Sequence, residues 1–418
     1  RINSKNTDKV KVSYRVYSFE ISVRTSFVDE SHAFLSPTGI FMYPDGQINA
    51  SSTVTIYPYK TWSKISTGLE RLASKANTFF APDFDVLYDS PIEVGNQDIF
   101  EFDAEGVRHE VAMYGGGNYD KEVLKRDMSK IISEQTKTFG VNPNKRYVFI
   151  VHNFNSGGGG LEHLNSTVLG ASRNSYNTEA GLLRFLGLVS HEYFHLWNVK
   201  RLRPIALGPF NYDQENYTRN LWIAEGFAAY YQDIYTLRAG LQSPERYLMS
   251  LAGSISSVEN QPGNRVDPVS QASFDAWIKL YRPNENSANS TISYYSKGAL
   301  IGMIMDLEII HSTGARSGLD EVMKAMYDEY YTKKGRGFTD TEFRSMLEKI
   351  SGISFEDVYR DYINGVKTID YNKYFGYAGM SIVDDAAAGK EAYLGAVTAL
   401  KDGKVVVTNV RRDSPAWN

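Results

Sequence analysis

Two histidines four residues apart, His191 and His195, flank a carboxylate in the run His191-Glu192-Tyr193-Phe194-His195. The sequence around them, from Leu182 to Trp197, is largely apolar, which marks a buried helix. Residues four apart share one helical face, so both imidazoles can turn a nitrogen toward a single ion. Glu192 then stands beside that ion, where a carboxylate can take the proton of a water activated there. The chain has only 7 histidines, so this H-E-x-x-H pattern is a rare chance event and points to zinc. The competing reading is a buried helix whose histidines hydrogen-bond within the core.

A catalytic zinc needs three protein ligands and one open position. The third ligand is expected in Leu221-Trp222-Ile223-Ala224-Glu225-Gly226-Phe227, an apolar helical stretch with one carboxylate, Glu225. Burying that carboxylate beside Trp222, Ile223 and Phe227 is costly without a partner, and a metal is such a partner. By itself Glu225 would read as an ordinary exposed helix carboxylate; the histidine pair changes that reading. His191, His195 and Glu225 are therefore expected to hold one Zn2+ per chain.

The chain that positions these groups has 418 residues, 42% hydrophobic and 22% charged, with net charge −4. It has room for more than one core. The charge offers no phosphate-tracking surface, so nucleic acid is not an expected partner. No apolar run is long enough to span a membrane. Cysteine is absent, which excludes disulfides and thiolate chemistry and leaves the compartment open.

Residues 1–95 read as strands. Val10, Val12, Tyr14 and Val16 alternate with polar residues, Phe19, Ile21 and Val23 continue the period, and Phe41–Tyr43 and Val54–Tyr57 follow. Asp83, Asp85, Asp89 and Glu93 form an acidic stretch without calcium-loop spacing, expected to be a solvated or capping loop. Residues 96–240 read as mixed α/β, with strands at Val107–Tyr114 and Tyr147–His152 and an amphipathic helix through Val123 and Ile132. Residues 241–370 read as mainly helical, with a capping-box start at Thr339 and Glu342. Residues 371–418 turn to strands again, at Tyr393–Val397 and Val405–Val410.

The stretch HEYFHLWNVKRLRP, with Gly159-Gly160-Leu161-Glu162-His163 before it and WIAEGFAAYY, SFDAWIKLYRPNENS and SYYSKGAL after it, resembles the glycyl aminopeptidase family, peptidase family M61. That family is similar to the larger M1 aminopeptidases. The resemblance runs from about Val10 to Val366. It implies a multidomain α+β fold: an N-terminal β-rich domain, a thermolysin-like α/β zinc-peptidase domain with a helical C-terminal half, then the beginning of a PDZ-like β domain at 371–418. The chain is expected to be cut within both end domains.

The resemblance also implies site roles. Glu162, on a strand resembling the substrate-binding edge strand of the M1 enzymes, would capture the free α-amino group, with Gly159 and Gly160 letting substrate backbone approach. Tyr295, by alignment on Lys297-Gly298, would stabilise the oxyanion, with Tyr294 as the alternative. Glu192 would be the general base. His163 departs from the M1 pattern and gains no role. The connection from His195 to Glu225 is longer than is usual in the M1 enzymes, and no oxygen partner for the ligand histidines is identified. The implied activity is a zinc-dependent aminopeptidase that removes small residues, glycine or alanine, from peptides with a free N-terminus, with a possible peptide ligand at the PDZ-like end. A zinc endopeptidase and a non-catalytic peptide-binding protein are the alternatives.

Overall fold

The runs of β-branched and aromatic residues in the first half of the chain become three sheets. This computed structural model describes residues 7, 9–387, 389 and 392–418. The chain divides into two compact units, residues 1–101, 108–117 and 146–174, and residues 102–107, 118–145 and 175–418.

In the first unit, β1 (Phe27–Val28), β2 (Ala33–Leu35), β4 (Lys64–Thr67) and β7 (Ile92–Gly95) form a sheet in the order β1-β2-β7-β4, and β3 (Ser52–Thr55), β5 (Glu70–Arg71) and β6 (Thr78–Ala81) a second in the order β3-β6-β5. Helix α1 (Phe84–Tyr88) follows, capped by Asp83, which accepts from the Val86 N–H at 2.7 Å. Val54, Ile65, Phe79, Leu87 and Ile92 close one core between them. A third sheet runs β11-β12-β10-β9-β8, from β8 (Asp98–Ala104), β9 (Val107–Tyr114), β10 (Arg146–Phe154), β11 (Gly160–Glu162) and β12 (Ser166–Ser172). Strand β10 is parallel to both neighbours, and its run Val148–Val151 is fully buried, as a parallel strand covered on both faces requires.

Not every alternating stretch becomes a strand. Residues 9–17 have no ladder partner among the described residues, and Val10, Val12 and Tyr14 remain about half exposed. Alternation favours extended backbone, but a strand exists only where a neighbour completes its hydrogen bonds. Phe19 makes a single bridge to Phe27. Phe41 and Tyr43 are irregular too, and pack their rings against the first core.

The second unit is helical: α2 (Lys121–Phe139), α3 (Glu179–Phe194), α4 (Leu221–Arg238), α5 (Pro244–Glu259), α6 (Val269–Phe274), α7 (Ser287–Ser290), α8 (Tyr294–Thr313), α9 (Leu319–Met326), α10 (Asp340–Ser351), α11 (Glu356–Val358) and α12 (Tyr371–Gly376). A hairpin of β13 (Ala396–Lys401) and β14 (Lys404–Val410) ends the chain. The helix signals lie in the sequence: Asp120 and Thr178 cap α2 and α3, Gly140 in the left-handed region stops α2, and Thr339 with Glu342 forms the capping box of α10. Among the described residues no helix is long and apolar enough to cross a membrane.

The architecture is thus a mixed α+β, multidomain one, with a β-rich N-terminal part and a helical C-terminal half. Strands β10 to β12 group with the N-terminal strands, so the two units cut across the stretch 96–240.

One contact sets the spacing of the second unit. Helices α4 and α8 touch backbone to backbone at Gly226 and Gly298. A Cβ on Gly298 would lie 2.8 Å from the Trp222 carbonyl oxygen and 2.9 Å from Gly226 Cα. Only hydrogen fits there. Gly226 follows Glu225, and Gly298 lies one turn beyond Tyr295, so this close approach fixes the separation of two candidate site residues.

Candidate metal centre and active site

Helix α3 delivers His191 in its last turn and His195 at its C-cap; α4 delivers Glu225 from its second turn. One oxygen of Glu225, Oε2, lies 3.3 Å from Nε2 of His191 and 3.3 Å from Nε2 of His195. Tetrahedral ligands with bonds of about 2.0–2.1 Å stand roughly 3.3–3.4 Å apart. The spacing suits a long hydrogen bond as well as two ligands of one ion, and it is the single oxygen equidistant from two ring nitrogens that fits a shared cation. Burial pushes the Glu225 pKa up, but the facing imidazoles of His195 and His191 outweigh it and hold the carboxyl well below the usual range. Glu225 is an anion here.

The tautomer of His195 agrees. Its Nδ1 lies 2.7 Å from the backbone carbonyl of Asn198. A carbonyl only accepts, so Nδ1 donates to it, and Nε2, which faces Glu225, is the atom that would bind a metal. Asn198 does more: its side-chain amide donates to the carbonyls of Ile223 at 3.2 Å and Ala224 at 3.1 Å, in the turn of α4 that precedes Glu225. The sequence did not reveal this oxygen partner, because a backbone carbonyl carries no residue signature. From the other side, Gln135 on α2 donates to the Ser190 carbonyl at 2.7 Å, and Trp197 Nε1 to the Val141 carbonyl at 2.9 Å.

Glu192 is buried, with a carboxylate oxygen within 4.8 Å of a ring nitrogen of His195. Tyr295, in the first turn of α8, lays its ring beside His191, with centroids 6.2 Å apart and planes 23° from parallel. Burial, then the neighbouring Glu225 charge, drive its pKa far above the ordinary tyrosine value, so its hydroxyl stays protonated and able to donate. Tyr294 stacks on Tyr295, with centroids 4.9 Å apart, and is itself buried. Of the two tyrosines, it is Tyr295 whose ring lies against His191.

The remaining residues singled out lie in the first unit. Glu162 closes edge strand β11, opposite Thr167 of β12, and is partly exposed; Gly160 pairs with Leu169. Gly159 has φ +90°, a conformation that glycine adopts without strain. His163 gains a structural part: its Nδ1 lies 3.0 Å from Asp89, whose other oxygen accepts the Leu164 N–H at 2.8 Å.

A second histidine–carboxylate group occurs in the same unit, where Glu93 meets His32 and His152, all buried. Its geometry differs from that of the first. His32 Nδ1 lies 2.7 Å from one Glu93 oxygen and His152 Nε2 2.9 Å from the other. Two oxygens, each at hydrogen-bond length from one imidazole, describe a carboxylate satisfied by two N–H donors rather than a metal cage.

The family model described as M61 glycyl aminopeptidase matches residues 184–301, and that of the Peptidase M61 N-terminal domain matches residues 1–96, together just over half of the chain. Among solved structures the chain is similar to an aminopeptidase N family protein from Idiomarina loihiensis, with TM-score 0.87 and 31% identity over 95% of this chain and 72% of that one. It shares a fold with an M1 zinc metallopeptidase from Deinococcus radiodurans, with TM-score 0.50 and 13% identity over 82% of this chain and 72% of that one. No curated protein matches the chain.

Proposed function

The chain belongs to the M61 glycyl aminopeptidase family and is a metallopeptidase, and from that premise we propose that it is a zinc-dependent aminopeptidase acting on peptides with small N-terminal residues, glycine or alanine. The observation that carries this reading is the single Glu225 oxygen set 3.3 Å from both imidazole nitrogens. His191, His195 and Glu225 would hold one zinc per chain. When bound, the ion supplies a Lewis acid that polarises a carbonyl and eases deprotonation of water.

The chain's own residues supply the rest. Glu192 takes a proton from water as the oxygen attacks the scissile carbonyl, and returns it to the leaving amine. The Tyr295 hydroxyl donates toward the oxygen on which negative charge develops. Glu162 pairs with the α-ammonium of the substrate, and the glycines before it leave space for substrate backbone. An ammonium anchor rewards a free N-terminus and penalises a chain that continues past it. The preference for glycine follows the name of the matched family. The hairpin β13–β14, with Asp413-Ser414-Pro415-Ala416 after it, is read as the opening of a PDZ-like peptide-binding module.

The test is hydrolysis of glycyl-p-nitroanilide against its N-acetylated form. Cleavage of the free-amine substrate alone supports the assignment. Equal cleavage of both keeps the peptidase and overturns the amine anchor, as an endopeptidase would require.

A further inference from the structure

Between α6 and α7, residues 275–286 carry Trp277, Ile278 and Tyr281, each about half exposed or more. The Tyr281 hydroxyl lies 3.3 Å from that of Tyr295. The segment is fixed from within: Lys279 Nζ reaches Asp267 at 3.1 Å and Asp275 at 3.0 Å. Asp267 also accepts the Ile292 N–H at 3.3 Å, so the same carboxylate ties the segment to the chain entering α8. Tyr281 and Tyr295 are therefore held to one another by an ion pair as well as by their own contact.

We propose that Tyr281 is a positioning residue for Tyr295, donating its hydroxyl proton to the Tyr295 oxygen; this rests on the reading of Tyr295 as the oxyanion donor. A phenol has one proton to give and lone pairs left to accept with. If Tyr295 gives its proton to the substrate oxygen, its own oxygen must take a donor from another side, and Tyr281 is the hydroxyl in place to supply it. The second hydrogen bond fixes the Tyr295 hydroxyl rotor and polarises it, so the bond to the oxyanion strengthens. The 3.3 Å separation is longer than a settled hydroxyl pair, and catalytic contacts of this kind tighten when substrate is bound. The proposed effect of Tyr281 on the reaction passes through the Tyr295 hydroxyl that it faces.

The test is a cycle of Tyr281→Phe, Tyr295→Phe and the double variant, read as kcat and KM on glycyl-p-nitroanilide, zinc per chain, and affinity for an aminophosphonate that mimics the tetrahedral state. Each substitution removes one oxygen from an otherwise unchanged ring. Tyr281→Phe should lower kcat about five- to thirtyfold, the worth of one strengthened hydrogen bond, with KM within about twofold and zinc content unchanged. Aminophosphonate affinity should fall by the same factor as kcat. In the Tyr295→Phe background the Tyr281 substitution should cost nothing further, within about twofold. A Tyr281→Phe enzyme with the parent kcat, or losses that multiply in the double variant, would overturn the proposal. A fully active Tyr295→Phe enzyme would instead overturn the reading of Tyr295 on which it rests.

Discussion

Asn198 hands its backbone carbonyl to His195 Nδ1 at 2.7 Å while its side-chain amide holds two carbonyls at the start of the Glu225 helix. A residue three positions beyond the second histidine thus orients one ligand and ties down the helix of another. Groups that orient metal ligands typically change affinity 10- to 100-fold when removed. Asn198→Ala keeps the carbonyl and loses the amide tether, so zinc affinity should fall about tenfold. Competition with a chromogenic chelator measures it, and an unchanged affinity would show that the tether is not needed.

The glycine contact between α4 and α8 predicts a packing defect. A methyl on Gly298 meets backbone on two sides, and overfilling a tight contact costs about 1–3 kcal/mol. Gly298→Ala should lower the denaturation midpoint accordingly and lower kcat, because the helices carrying Glu225 and Tyr295 must part. Gly253, inside α5 and with nothing within 4 Å of an added Cβ, is the control, and Gly253→Ala should leave kcat unchanged and raise the midpoint slightly, by the helix preference of alanine, about 0.5–1 kcal/mol. Equal behaviour of the two variants would remove the spacing role.

Glu93 should behave as a structural anion. Glu93→Ala strands two buried imidazole N–H groups, and a buried donor left without its acceptor costs about 1–3 kcal/mol. Urea denaturation should report a loss of about 2–4 kcal/mol, with zinc content still one per chain. A fall in bound metal in this variant would mean that the cluster is a metal site after all.

Lys297 is buried on α8, and among the described residues its amine finds no hydrogen-bond partner. Burial pulls its pKa down to about 8, only partly offset by Glu259 and Asp267, against an ordinary value of 10.5. Between those two values the unfolded chain holds a proton that the folded chain has released, so this lysine's penalty is full at pH 7 and fades as pH rises through the window. Lys297→Met should be more stable than the parent at pH 7 by about 2–3 kcal/mol, with the gap narrowing toward pH 10. A gap that does not vary with pH would place the effect elsewhere.

Much of the candidate metal site was legible because its chemistry is written in side chains at helical spacing. His191 and His195 share a face by period alone, and Glu225 is an anomaly in an apolar helix. The helix signal at Thr339 and the strands at 107–114 and 147–152 were equally plain. What stayed hidden depends on partners distant in sequence or on backbone. The Asn198 carbonyl has no sequence signature, the Gly226–Gly298 contact joins two residues far apart in the chain, and Tyr281 is one of 29 tyrosines. The alternation at Val10–Val16 misled for the same reason, since period two describes one strand and says nothing about its neighbour.

The central claim is that His191, His195 and Glu225 hold a catalytic zinc served by Glu192. The most direct measurement is titration of zinc into chelator-stripped protein, following bound metal and glycyl-p-nitroanilide hydrolysis together, in the parent and in Glu192→Gln. Activity in the parent should rise with added zinc and level off at about one ion per chain, while Glu192→Gln binds the same zinc and stays below about a hundredth of the parent rate. Hydrolysis by the metal-free parent, or full activity in Glu192→Gln, would contradict it.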